Sequence, residues 1–107
     1  YVAHLAHALR VCGVDHVGIG SDAGLAPFDT SPSNLRDWDA QIAKRKALGV
    51  SAPGEGAPPF VIGLNRPDRY AVIADELKRR GYKAATVDKV LGANFTRVFA
   101  DTWVIKT

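Results

Sequence analysis

The sequence predicts an α/β fold class, with helices grouped around one short strand. Three observations carry that expectation. Apolar residues at three- and four-residue steps mark helices toward both ends of the chain. One β-branched, glycine-punctuated run, residues 15–21, reads as a strand. No second run of that kind follows it, and a strand cannot satisfy its own backbone hydrogen bonds. The neighbouring strands are therefore expected outside these 107 residues. The chain also lacks methionine and enters a helix directly at Tyr1, which adds to the expectation of a piece of a longer protein.

The elements follow in order. Val2, Leu5, Ala6, Leu9 and Cys12 fall on one stripe, so residues 2–12 are expected to be an amphipathic helix stopped by Gly13. Residues 23–33, rich in Ala, Gly, Pro, Ser and Asp, read as loop. Asn34 is a candidate N-cap for a helix over 35–48, with Leu35, Trp38 and Ile42 on its apolar face and Gly49 ending it. Residues 50–64 are again rich in Gly and Pro, with a brief apolar patch at Phe60-Val61-Ile62. Pro67 and Asp68 open a helix to about Arg80, whose buried stripe is Tyr70, Ile73, Ala74 and Leu77 and whose stop is Gly81. A short helix at 86–91 and a further turn or two at 94–99 complete the expected elements.

Composition bounds the function classes. Apolar residues at 47% and charged residues at 23% describe a globular chain. The net charge of +3 arises C-terminally: residues 1–65 hold five Lys/Arg against six Asp/Glu, and residues 66–107 hold nine against five. Lys78, Arg79 and Arg80 cluster in the last turn of a helix, where cations complement the dipole, and no aromatic or groove-reading pattern accompanies them. Nucleic-acid binding is not expected. The single cysteine, Cys12, permits no internal disulfide and no cysteine-based zinc site. No run approaches the length of a membrane span, and no signal peptide is evident. The compartment stays open.

The chemistry concentrates at Asp22. Along a strand Val17, Ile19 and Ser21 point one way; His16, Gly18, Gly20 and Asp22 point the other. In a parallel barrel the first set would meet outer helices, and the glycines would leave open space below a carboxylate at the strand's C-terminal end. Catalytic groups of such barrels stand there. The pattern alone equally admits Asp22 as a turn former or N-cap beside Ala23-Gly24. His16 sits lower on that face and reads as a structural hydrogen-bonding group. His4 and His7 share a helix face without an acidic or cysteine partner, so they read as surface histidines. Ser21 has no base beside it, and Gly18-Ile19-Gly20 lacks the third glycine of a dinucleotide fingerprint.

Two blocks carry a family resemblance. His4-Leu5-Ala6-His7 with Val11 through Asp22 is similar to the last barrel strand and preceding helix of the membrane (renal) dipeptidase family, peptidase family M19. Arg69-Tyr70 onward through Glu76-Leu77-Lys78-Arg79-Arg80-Gly81-Tyr82 resembles a helix of that family ending in an Arg-Arg-Gly-like turn. Val90-Leu91-Gly92-Ala93-Asn94-Phe95-Thr96-Arg97-Val98-Phe99 resembles its Gly-Gly-Asn-x-x-Arg-Val-like close. The blocks cover residues 1–24 and 66–100. The resemblance implies the C-terminal fragment of a (β/α)8 TIM-type barrel: last strand plus flanking helices, with an inserted loop-helix region at about 25–65. It implies a zinc-dependent dipeptidase that hydrolyses the peptide bond of dipeptides by attack of a metal-bound hydroxide. Asp22 then matches the acidic residue of the last strand, catalytic and substrate-binding. The two Zn2+ ions would be held by residues of earlier strands, with no ligand in this chain. The implied partners are a dipeptide or similar small molecule and the remainder of the barrel, with a homodimer left open.

Two departures bear on substrate preference. Ser21-Asp22-Ala23-Gly24 stands where the family usually reads Ser/Gly-Asp-Phe-Asp-Gly, and residues 25–65 exceed the usual connection. A related amidohydrolase-type barrel acting on another amide or lactone, and a non-catalytic helical interaction module using Trp38 and the basic C-terminal helices, are the competing readings.

Overall fold

The structure is a computed structural model and describes residues 1–103. The backbone divides into two compact units, one of residues 1–22 with those from Asp68 onward, the other Ala23–Pro67.

In the first unit, α1 (Val2–Cys12) buries Leu5, Ala6 and Leu9 and ends at Gly13, whose N–H donates to the Leu9 carbonyl. Gly13 has φ 83°, a left-handed conformation that a side chain resists. Cys12, expected on the stripe, is exposed. α3 (Arg69–Arg79) packs against α1 and against α4 (Ala84–Asp88). Its stripe is Arg69, Ile73, Ala74 and Leu77. Tyr70, expected inside, is 43% exposed, while Arg69 is 8% exposed. The two are adjacent on the helix, about 100° apart, so burying one turns the other outward. α3 ends in a Schellman motif, with Gly81 N–H on the Lys78 carbonyl at 2.9 Å and Tyr82 N–H on the Leu77 carbonyl at 3.1 Å. Leu77, Val87 and Val90 are the most completely buried large side chains.

After α4 the chain takes a wide turn over Lys89–Ala93 with a kink at Gly92, and then forms α5 (Asn94–Thr102). One face of α5 is an aromatic ladder: Phe95 and Phe99 stack at 5.9 Å, Phe99 and Trp103 at 4.5 Å.

The structure corrects the expected α/β class. Among the described residues every regular element is helical, and no strand of a (β/α)8 barrel is present. Residues 15–21, read as a strand, form a turn through Val14, Asp15 and His16 followed by a segment without regular secondary structure. The reason is physical: alternation makes a segment able to pair, but a strand exists only where a second backbone supplies the ladder. Here the carbonyls of Val14 and Val17 accept hydrogen bonds from the Asn94 side chain instead.

In the second unit, α2 (Pro32–Ala47) starts three residues earlier than expected. Ser31, not Asn34, is the N-cap; its hydroxyl accepts from the Asn34 N–H, and Pro32 occupies the first turn. Asp29 accepts from the Ser31 N–H at 2.8 Å and from its hydroxyl at 3.0 Å. α2 closes at Gly49 in a second Schellman motif, with Val50 N–H on the Arg45 carbonyl at 3.1 Å. Trp38 anchors the unit: its ring meets Phe28 edge-on at 5.6 Å, and its Nε1–H donates to the Gly56 carbonyl. Asn65 bonds both backbone groups of Phe28, at 2.7 and 2.9 Å, as a neighbouring strand would. Glu55 pairs with Arg45, and a single bridge links Glu55 to Ala57.

Candidate functional site

The polar groups of the first unit converge on the turn that precedes Asp22. Asn94 is 5% exposed at the start of α5 and donates through Nδ2 to the carbonyls of Val14 and Val17, both at 2.9 Å. Arg97, one turn on, donates to Asn94 Oδ1 at 3.4 Å and to the Asp15 carbonyl at 2.6 Å. Lys89 closes the set with an ion pair to the Asp15 carboxylate at 2.5 Å. The hydrogen bond from Lys89, then its charge, holds the Asp15 carboxyl below its ordinary range. A groove of about 260 Å³ runs along this junction, lined by Asp15, His16, Gly18, Phe95, Arg97 and Val98 among others.

Each residue singled out from sequence has a definite place. His16 lines the groove and donates through Nδ1 to the Cys12 carbonyl at 2.9 Å, a structural hydrogen bond. His4 and His7 are exposed on α1, and His7 Nδ1 accepts from Arg10 at 3.4 Å. Val17 is buried, Ile19 half-buried, and Ser21 and Asp22 exposed. Asp22 does not line the groove; it stands five residues beyond Val17, with φ 49°. It is a non-glycine residue in the left-handed region, which aspartate tolerates better than most. Outlying backbone of this kind is found disproportionately at functional positions.

The residues do not assemble a metal centre. Among the described residues no three His, Cys, Asp or Glu side chains come together to hold an ion. The resemblance places the ligands of the two zinc ions on earlier strands, outside this chain.

Sequence reading missed the clamp. Asp15, Asn94 and Arg97 lie in the blocks that carry the resemblance but have no role from it, and nothing in the sequence marks Lys89. The available signal was two polar residues, Asn94 and Arg97, one helical turn apart on a helix whose other face is aromatic.

The family model described as membrane dipeptidase (peptidase family M19) matches residues 41–106, which includes α3, α4, α5 and all three donors of the clamp. Asp22 and α1 precede the matched residues. No curated protein and no solved structure matches the chain. With more than half of its length matched, the chain belongs to the membrane dipeptidase family, a family of hydrolases acting as peptidases.

Proposed function

We propose that the chain serves the zinc-dependent hydrolysis of the peptide bond of dipeptides, with Asp22 as its active-site carboxylate. The family match over residues 41–106 is the observation that carries the reading. Two features of Asp22 support its assignment: it follows closely on a turn held by Asn94 and Arg97, and it has a left-handed backbone. The carboxylate has a role that needs no covalent chemistry. It accepts a hydrogen bond from the ammonium end of a dipeptide and holds a proton near the scissile bond as the amine leaves. Zinc, when bound, supplies the activation of water, and its ligands lie outside the residues described here.

The experiment is made on the intact protein with a dipeptide panel and a lactone as competitor substrate. Asp22→Asn is the informative variant, because asparagine also tolerates left-handed backbone and only the charge changes. Turnover of the best dipeptide is expected to fall by about 10²-fold or more, the scale of a positioned acid–base group, with zinc content unaltered. Wild-type turnover in that variant would remove Asp22 from the site. Hydrolysis of the lactone alone would reassign the substrate class.

A further inference from the structure

We draw no further inference here: the strongest candidate, the outward face of α5 on which Phe95, Phe99 and Trp103 stack beside the groove at the turn of residues 14–17, is an exposed apolar surface, and nothing in the structure shows what covers it.

Discussion

Asp15 shows how one residue serves charge and backbone together. Its carbonyl is held by Arg97 and its carboxylate by Lys89. The hydrogen bond from Lys89 lowers the carboxyl pKa in the folded chain below the ordinary value of 3.8. A group depressed on folding contributes stability that is complete above its unfolded pKa and is lost as pH falls through the folded value. Asp15→Asn is therefore expected to lower the thermal midpoint at pH 7. The gap to wild type should begin to narrow near pH 4 and close as pH falls through the lower folded value. A gap that is constant from neutral to acid would show that Asp15 acts only through its backbone. The charges of Arg97 and His16 act on this carboxylate in the same direction as that of Lys89. None of this was legible in the sequence. Lys89 and Asp15 are 74 residues apart, and no local pattern announces their pairing.

At the scale of elements, legibility followed the locality of the signal. Gly13, Gly49 and Gly81 mark helix ends correctly, because each takes a positive φ that few other residues accept. Ser31 was missed as a cap since Asn34 stands nearer the apolar stripe, although Pro32 at the first helical position was the better pointer. The strand failed for a deeper reason. Val17, Gly18, Ile19 and Gly20 alternate as a strand would, and pairing is decided by a backbone that these residues do not contain. The membrane dipeptidase resemblance survived that failure because it rested on a second block, residues 66–100, most of which helices α3 to α5 occupy. Those helices also make the packing testable. Leu77 has no exposed surface and belongs to α3, which packs against both α1 and α4. Leu77→Ala is expected to cost about 2–5 kcal/mol in urea unfolding. Tyr70→Ala, on the outward side of the same helix, is expected to cost about 1 kcal/mol or less. Equal losses would mean that the stripe runs through Tyr70, as the sequence first suggested.

For the molecule as a whole, burial is unevenly shared between the two units. Leu77, Val87 and Val90, the most deeply buried large side chains, all belong to the first unit, together with Leu5, Leu9, Val17 and Ile73. Among the described residues of Ala23–Pro67 only Ile42 is a buried hydrophobic side chain. That unit relies on Phe28, Trp38 and Phe60 in half-buried ring contacts and on the surface pair of Arg45 and Glu55. Exposed ion pairs contribute little, and hydrophobic stabilisation scales with the area removed from water. The two Schellman-capped helices α2 and α3 are therefore not equals, although α2 is the longer, with 16 residues against 11. Helix stability in proteins comes mainly from packing of the apolar face rather than from length. Native-state hydrogen exchange is expected to show α2 amides opening at least about tenfold more readily than those of α3, as separate cooperative units do. Limited proteolysis should cut first within residues 23–31 or 50–66, where no helix protects the backbone. Equal protection of the two helices would show that Ala23–Pro67 shares the cooperativity of the clamp-bearing unit. Its substitution pattern would then be read as core rather than as a locally stabilised excursion.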